Sequence, residues 1–225
     1  MTITAWEYIR TQELTKRNSC ALCICHTGYV TTEFALRLRE LILPPNSIIL
    51  FNRGRPFDAC RNILADEGSK HAEWIIFLDS DVIPPKDFAL KLLRHKLPIV
   101  SGLYRAKKKG FLWSAWIRKN NEIQQVSSFE KGLFEAYYIG MGLCLIHKDV
   151  FTLLKKSNPK LPYFLWTKDS CLDIPPEYKG LSEDFFFCER VRRELKMKIY
   201  VDTEVIAHHA GGLKLIEEGY DLLSI

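Results

Sequence analysis

The sequence lacks any long apolar run. Its longest apolar stretches, such as residues 137–146, are far shorter than the roughly 20 residues that a membrane-spanning helix needs. Residues 1–18 lack the basic and then apolar pattern of a signal peptide. Repeats and low-complexity segments are also missing, and the hydrophobic content of 47% is ordinary for a globular chain. A disordered or collagen-like protein is excluded, and we expect a soluble, cytoplasmic protein with one domain over residues 1–225.

Paired cysteines and a strong charge imbalance are lacking too. The 7 cysteines are an odd number without two matched Cys-x-x-Cys pairs, which favours buried thiols in a reducing compartment over disulfides or zinc. The net charge is +5, and the basic residues are spread along the chain. We therefore expect no nucleic-acid partner. An anionic ligand or peripheral contact with a membrane, aided by the basic loop at residues 105–110, is compatible with this charge, and nothing specifies an oligomeric state.

Strand and helix patterns alternate in residues 20–104, which we interpret as a nucleotide-binding half. Short apolar runs typical of buried strands, separated by helical patterns, lie at residues 20–25, 47–51, 74–78 and 99–104. We predict that Thr31 or Thr32 caps the first helix, Asp58 caps the second and Pro84 opens the third. Strands joined by such helices imply right-handed crossovers. The prediction is an α/β, Rossmann-like fold with a mostly parallel central sheet and helices on both faces.

Residues 105–212 have a less regular pattern, which we interpret as an acceptor and metal half. The expected elements are a hairpin over 113–126, strands over 133–139 and 141–147, a loop over 158–176, a helix that Ser182 caps and an extended segment over 199–207. Residues 213–225 form a C-terminal tail. We see no linker between the halves and predict a single domain.

Acidic residues directly follow the third predicted strand, in Asp79-Ser80-Asp81. Side chains alternate along an extended backbone, so we expect the two carboxylates to point the same way. Ligands of open α/β sheets bind at the carboxyl ends of the strands. Carboxylates there suit Mg²⁺ or Mn²⁺, with substrate phosphates completing the coordination. The alternative is two surface aspartates that cap the next helix.

Five further segments accompany this acidic motif along the chain. They are His26-Thr27-Gly28-Tyr29-Val30, Arg53-Gly54 with Arg61-Asn62, Gly140-Met141-Gly142, Ser182-Glu183-Asp184-Phe185 and Val205-Ile206-Ala207-His208-His209-Ala210-Gly211. In this order the segments resemble the motifs of family 2-like GT-A fold glycosyltransferases, with Asp79-Ser80-Asp81 as the DxD motif. The resemblance covers residues 20–212. It implies a GT-A fold and a hexosyltransferase that moves a sugar from a nucleotide diphosphate, such as UDP or GDP, to a glycan, lipid or protein hydroxyl.

The resemblance also implies roles for individual residues. The donor nucleotide would be bound by His26, Thr27, Gly28, Arg53, Arg61, Asp79 and Ser80, although Arg53 and Arg61 could equally be solvated or ion-paired. A cation, Mn²⁺ or Mg²⁺, would be held by Asp79, Asp81 and His209. Gly140 and Gly142 would lie by the sugar and acceptor. Trp113 and Trp166 are candidates for stacking on sugar rings, while aromatic residues are more often part of a core.

Charge that develops on the departing diphosphate explains the need for a cation, which acts as a Lewis acid. An imidazole ligand favours Mn²⁺ over Mg²⁺, because nitrogen is a softer donor than oxygen. Alternation from Val205 and the family pattern favour His209 over His208 as that ligand. Two histidines that bind no metal are the alternative.

Glu183 and Asp184 begin a predicted helix. The resemblance favours Asp184 as a general base that deprotonates the acceptor hydroxyl, which tilts the interpretation weakly towards inversion. Acidic residues in a first helical turn are also favoured by the helix dipole alone. The pair is therefore a candidate for catalysis with a purely structural alternative.

Other functions remain to be weighed. Haloacid-dehalogenase-type phosphatases also place Asp-x-Asp after a strand, but need Thr or Val where this chain has Ile83. Nucleotidyltransferases that form sugar nucleotides resemble this pattern, yet carry a Gly-x-Gly-x-Arg loop where this chain has His26-Thr27-Gly28. A non-catalytic module that binds nucleotide-sugars or carbohydrates is the remaining alternative, against which the intact acidic pairs speak.

Overall fold

The computed structural model describes residues 18–54, 56–106, 112–168 and 174–210. Within these ranges the strands are β1 Cys20–His26, β2 Ile48–Arg53, β3 Trp74–Asp79, β4 Val82–Ile83, β5 Ile99–Tyr104, β6 Ala115–Lys119, β7 Glu122–Gln125, β8 Leu133–Ala136, β9 Tyr138–Ile139, β10 Leu143–His147 and β11 Ile199–His209. The helices are α1 Thr32–Glu40, α2 Phe57–His71, α3 Phe88–Leu93, α4 Lys148–Ser157 and α5 Glu183–Glu194, with a short 3-10 helix at Pro176–Tyr178. The predicted C-terminal tail and most of the predicted basic loop lie outside the described residues.

The central sheet confirms the predicted fold class. Its strand order is β2-β1-β3-β10-β5-β11-β4, and β8 also pairs with β11. Strands β1, β2, β3, β5 and β11 run in one direction, whereas β4, β8 and β10 run in the other. The sheet is therefore mixed but mostly parallel, and a smaller antiparallel sheet has the order β7-β6-β9.

Helices cover both faces of the central sheet because strands such as β1 and β3 are buried and apolar on both sides. In β3, Phe77 belongs to the core that contains Leu64 of α2 and Phe151 of α4. Its neighbour Ile76 belongs to the opposite core, which contains Phe34 of α1 and side chains of α3. This alternation divides the hydrophobic core into two layers around the sheet.

The second half of the chain contributes strands to the same sheet as the first. Strand β10 lies between β3 and β5 and is antiparallel to both. Strand β11 runs parallel to β5 and continues the sheet beyond it. The arrangement places the ends of strands from both halves along one edge. None of the helices in the described ranges is long and apolar enough to cross a membrane.

Several local predictions are confirmed. Thr31 caps α1, because its side chain accepts a hydrogen bond from the Phe34 amide at 3.1 Å. Ser182 caps α5 in the same way. The predicted hairpin forms from β6 and β7.

Other local predictions are wrong in detail. Pro56, not Asp58, precedes α2, and the Asp58 carboxylate lies within the first turn. Helix α3 begins at Phe88, beyond Pro84, because the chain first forms β4 and pairs with β11. The single strand predicted over residues 133–139 is two strands, since β8 joins the central sheet through β11 while β9 joins the small sheet through β6.

Candidate functional site

Polar side chains gather where the parallel strands end. Asp79 ends β3, Tyr104 ends β5 and His209 ends β11, while Cys25 lies near the end of β1. Because these strands point the same way, their carboxyl ends lie at one edge of the sheet. A cavity of about 670 Å³ opens there. It brings together these residues proposed from the sequence: Thr27, Arg61, Asp79, Ser80, Asp81, Glu183, Asp184 and His209.

Asp81 and His209 are brought together by strand pairing. His209 is aligned with Val82 of β4, and the Ala210 amide donates to the Asp81 carbonyl at 2.7 Å. This pairing leaves His209 Nε2 3.5 Å from Asp81 Oδ2. His208 is aligned with Ile83 instead and is exposed. The preference for His209 thus agrees with the side of β11 that faces the cavity.

The orientation of the His209 ring suits a metal ligand. Its Nδ1 lies 2.7 Å from the Arg105 carbonyl. Since a carbonyl can only accept, Nδ1 is the donor, which leaves Nε2, 3.5 Å from Asp81 Oδ2, as the ring nitrogen that faces Asp81. In metal-binding histidines, a hydrogen bond from the ring nitrogen that does not bind the metal commonly fixes the tautomer. The edge of the Tyr104 ring, 5.4 Å between centroids, holds the imidazole from the side.

The donor set fits a divalent cation that is completed by substrate. Within the described ranges, no three His, Cys, Asp or Glu side chains form a ready-made metal cluster. One carboxylate and one imidazole are available at Asp81 and His209, 3.5 Å apart. Mg²⁺ and Mn²⁺ sites commonly use one or two protein groups, with water and phosphate oxygens filling the rest. The two residues therefore suit a site that is complete only with a phosphate-bearing ligand.

Asp79 and Asp81 both line the cavity, but not through the strand alternation that the sequence suggested. Strand β3 ends at Asp79, and Ser80 and Asp81 form a turn. Alternation requires an extended backbone, so it does not apply across this turn. Asp79 instead accepts a hydrogen bond from Arg61 Nη2 at 3.0 Å, while Asp81 faces His209.

Arg61 is the buried cation of the site. It projects from α2 with only 4% of its side chain exposed. Besides its hydrogen bond to Asp79, its Nε lies 3.9 Å from Glu183 Oε1 and 3.8 Å from Asp184 Oδ1. The guanidinium also packs over the Phe77 ring at 5.8 Å. Arg61 is therefore ion-paired, which was one of the two alternatives for this residue, and it also lines the cavity.

Asp184 is a buried carboxyl group with an unusual proton affinity. Burial raises the pKa of Asp184 to about 8, the negative charge of Glu183 adds to the rise, and Arg61 opposes it. Its Oδ1 accepts no hydrogen bond from any described residue. A buried oxygen with a free lone pair beside a cavity is suited to accept a proton from a bound molecule.

Gly140 and Gly142 make room for Tyr104. A Cβ at Gly142 would lie 2.8 Å from both the Tyr104 hydroxyl and Asp79 Oδ2, and a Cβ at Gly140 would overlap the same hydroxyl. The Gly142 amide donates to the Tyr104 oxygen at 3.1 Å. Burial raises the pKa of Tyr104, which keeps this phenol protonated. The two glycines therefore shape the wall behind Asp79.

The remaining proposed nucleotide-binding residues lie along the loop after β1 and the end of β2. The Gly28 amide donates to His26 Nδ1 at 3.1 Å, and Gly28 has a φ of 122° that favours glycine. A Cβ at Gly28 would lie 3.3 Å from Arg53 Nε. These three residues form one group beside Thr27, but unlike Thr27 none of the three lines the cavity.

The two proposed stacking tryptophans differ in surroundings. Trp113 is packed between the Arg105 guanidinium, 3.9 Å above its ring, and Phe129. It does not line the cavity described above. Trp166 is 44% exposed and lines a second cavity that adjoins the first.

Sequence reasoning missed part of the cavity wall and its support. The additional lining residues are Cys25, Thr31 and Phe57, together with Tyr29 and Val30, which belong to the motif after β1 but had received no role of their own. Tyr104 was missed as well, although it stands at the carboxyl end of a parallel strand. That strand-end position was the available signal.

Comparisons with known proteins agree on the fold. No family model and no curated protein sequence matches the chain. Among solved structures, A197 from STIV matches with a TM-score of 0.54 and 19% identity over 85% of each chain. GalNAc-T7, a GT-A glycosyltransferase whose crystal structure contains UDP, GalNAc and Mn²⁺, matches with a TM-score of 0.56 and 11% identity. This match covers 88% of the present chain but 44% of GalNAc-T7. The chain therefore has a glycosyltransferase-like α/β fold.

Proposed function

We propose that this protein is a metal-dependent glycosyltransferase that transfers a sugar from a nucleotide-diphosphate donor to an acceptor hydroxyl, with inversion. The observation that carries the proposal is the pairing of β11 with β4, which sets His209 Nε2 3.5 Å from Asp81 Oδ2 at the mouth of the cavity. The glycosyltransferase-like fold supports it, and GalNAc-T7 supplies an example with UDP and Mn²⁺.

The charge of the cavity supports a need for a cation. Among the described residues that line it are the carboxylates of Asp79, Asp81 and Glu183, the carboxyl group of Asp184 and one guanidinium, that of Arg61. A diphosphate would be repelled by such a surface. A divalent cation at Asp81 and His209 would reverse the local charge and, when bound, supply Lewis-acid stabilisation of the departing diphosphate.

The residues of the chain would divide the remaining work. Asp81 and His209 would hold the cation, and the Arg61 guanidinium would hold Asp79 in place at the 3.0 Å contact. The raised pKa of Asp184 matches a general base that must take a proton from an alcohol near neutral pH. Thr27, with the group formed by His26, Gly28 and Arg53, would contact the nucleotide.

Calorimetry with UDP and GDP tests this proposal directly. We expect heat of binding for one of the nucleotides in the presence of Mn²⁺ or Mg²⁺ and little in EDTA. A panel of nucleotide-sugars would then show slow cation-dependent hydrolysis, which identifies the base and the sugar without an acceptor. Absence of nucleotide binding to well-folded protein with either cation would refute the function.

The variant Asp81→Asn separates the proposed ligand from general electrostatics. Loss of a supporting hydrogen bond to a metal ligand already costs about 10- to 100-fold in metal affinity, so loss of a direct ligand should cost at least that much. The matched control is Asp87→Asn, which alters an exposed carboxylate paired with Lys91 on α3. Cation-dependent UDP or GDP binding should be lost in the first variant and kept in the second. Equal binding in both would remove Asp81 from the site.

A further inference from the structure

A second cavity of about 680 Å³ adjoins the first one. Pro56, Phe57, Asp58, Trp166 and Glu183 line it, and Phe57 and Glu183 are shared with the proposed donor cavity. The shared residues form the boundary between the two spaces. A molecule in the second cavity would therefore meet the start of α5 at Glu183 without occupying the space next to Asp81 and His209.

The wall that carries Trp166 is held firmly against α2. The Asn62 side chain donates to the Phe164 carbonyl at 2.8 Å and accepts from the Phe164 amide at 3.0 Å. The Trp166 amide donates to Asp58 Oδ2 at 3.0 Å. These bonds fix the backbone next to an indole that is 44% exposed. A large aromatic surface is thus held in position while open to a ligand.

The chemistry of the lining favours a carbohydrate. Aromatic rings pack on the apolar face of a sugar ring, whereas the carboxylates of Asp58 and Glu183 can accept hydrogen bonds from its hydroxyl groups. Among the residues that the structure describes, no cationic side chain lines this cavity. The two carboxylates give this cavity negative charge, which Arg61 offsets only in part at its 3.9 Å separation from Glu183, and this disfavours an acceptor that carries phosphate.

We propose that this second cavity binds the acceptor, that the acceptor is an uncharged carbohydrate and that Trp166 is its stacking platform. The inference rests on the proposed function and specifies its acceptor class. In the reaction, the acceptor oxygen forms a bond to the anomeric carbon as the bond from that carbon to the diphosphate breaks. The bonding electron pair leaves with the diphosphate, and the hydroxyl proton passes to Asp184. Glu183, on the boundary, would accept a hydrogen bond from a neighbouring acceptor hydroxyl.

Saturation-transfer NMR with neutral disaccharides tests the cavity without any need for turnover. The probes are lactose, cellobiose, N,N′-diacetylchitobiose and trehalose, with trehalose 6-phosphate as a charged counterpart. At least one neutral disaccharide should bind, and trehalose 6-phosphate should not. Binding should weaken about tenfold in Trp166→Ala and less in Trp166→Phe. The control Ile123→Ala, which alters an exposed side chain on β7, should bind as the unaltered protein does.

Donor binding, measured on the same variants, keeps the two proposals distinguishable. Trp166→Ala should retain cation-dependent UDP or GDP binding, because Trp166 does not line the first cavity, and this binding also shows that the variant is folded. If no neutral disaccharide binds, if Trp166→Ala binds them unchanged or if trehalose 6-phosphate binds as well as trehalose, the acceptor inference is overturned even when donor binding is intact. If the unaltered protein does not bind UDP or GDP with either cation, the proposed function itself is overturned.

Discussion

The surroundings of Asp184 make its carboxyl group costly to ionise and at the same time more basic. Burial and the charge of Glu183 raise its pKa to about 8, and the 3.8 Å separation from Arg61 Nε only partly offsets them. A carboxyl group in this state is costly to ionise but is a stronger base than an exposed aspartate. Such shifts are common where a protein needs a proton acceptor near neutral pH, and they reduce stability in return.

The stability of the protein should therefore depend on pH through Asp184. Between about pH 4 and pH 8 the unfolded chain has lost this proton while the folded protein retains it, so the free energy of unfolding falls as pH rises across that window. Above the folded pKa the loss is complete. The variant Asp184→Asn lacks this titration. The free energy of unfolding of Asp184→Asn, relative to that of the unaltered protein, should therefore increase by more than about 1 kcal/mol between pH 5 and pH 8.

Denaturant unfolding at several pH values measures this difference. Asp87→Asn, which removes an exposed carboxylate directly before α3, should follow the unaltered protein from pH 5 to pH 8. The same Asp184→Asn protein should bind UDP or GDP with cation but fail to transfer sugar. A constant difference between Asp184→Asn and the unaltered protein from pH 5 to pH 8 would contradict the raised pKa.

At the scale of secondary structure, the apolar pattern predicted which segments become strands but not which strands become neighbours. Strands β5 and β10 are buried throughout, and apart from Ser101 in β5 and His147 at the end of β10 both are apolar in sequence. Such a run records burial on both faces and contains no information about register or partner. The insertion of β10 between β3 and β5 could therefore not be predicted from local pattern.

The candidate site likewise has features that the sequence could predict and features that it could not. Asp79 and His209 could be predicted because polar residues at the ends of apolar strands are visible in sequence. The contact of Asp79 with Arg61 could not, since it depends on how α2 packs over β3 and on the turn at Ser80. The contact of Tyr104 with Gly142 was equally hidden, because it joins segments whose pairing is not local, although the position of Tyr104 at a strand end was visible in sequence.

Gly142, which directly precedes β10, offers a test of how backbone packing supports the site. In Gly142→Ala the new methyl group would meet Asp79 Oδ2 and the Tyr104 hydroxyl, each 2.8 Å away. Crowding of this kind costs typically about 1–3 kcal/mol of stability. Because Asp79 must move, cation-dependent nucleotide binding should weaken as well. Thermal unfolding and calorimetry of the same variant measure the two effects.

A glycine with more space provides the control. A Cβ at Gly54 would lie 3.5 Å from Cys60 Sγ, which is ordinary van der Waals contact. Gly54→Ala should therefore change stability much less than Gly142→Ala. Removing the Tyr104 hydroxyl in the double variant Tyr104→Phe with Gly142→Ala should recover part of the lost stability, because contacting residues are not additive. Additive losses would argue that the methyl group is accommodated elsewhere.

At the scale of the whole molecule, the burial of the cysteines shows how well the two core layers exclude solvent. Cys23, Cys25, Cys60, Cys144 and Cys188 lie in one layer, and Cys20 lies in the other. All six are free thiols in the part of the chain that the structure describes. Their burial confirms the expectation of core thiols.

Thiol reactivity should therefore follow global unfolding. Burial raises the pKa of Cys20 and of Cys25 to about 12, and it raises the pKa of the other four thiols as well. The thiolate is the reactive form, so a disulfide reagent at pH 8 should label at most one of the 7 cysteines quickly in the folded protein.

The other six should react only as the chain unfolds, with a urea midpoint that coincides with the loss of circular dichroism. Cys25 makes this comparison informative, because it lies in the wall of the proposed donor cavity and yet is 1% exposed. If Cys25 alone reacted before global unfolding, the carboxyl edge of the sheet would open independently of the rest of the molecule. UDP or GDP with Mn²⁺ should then slow that reaction, because ligand that binds only the closed form reduces the population of the open one.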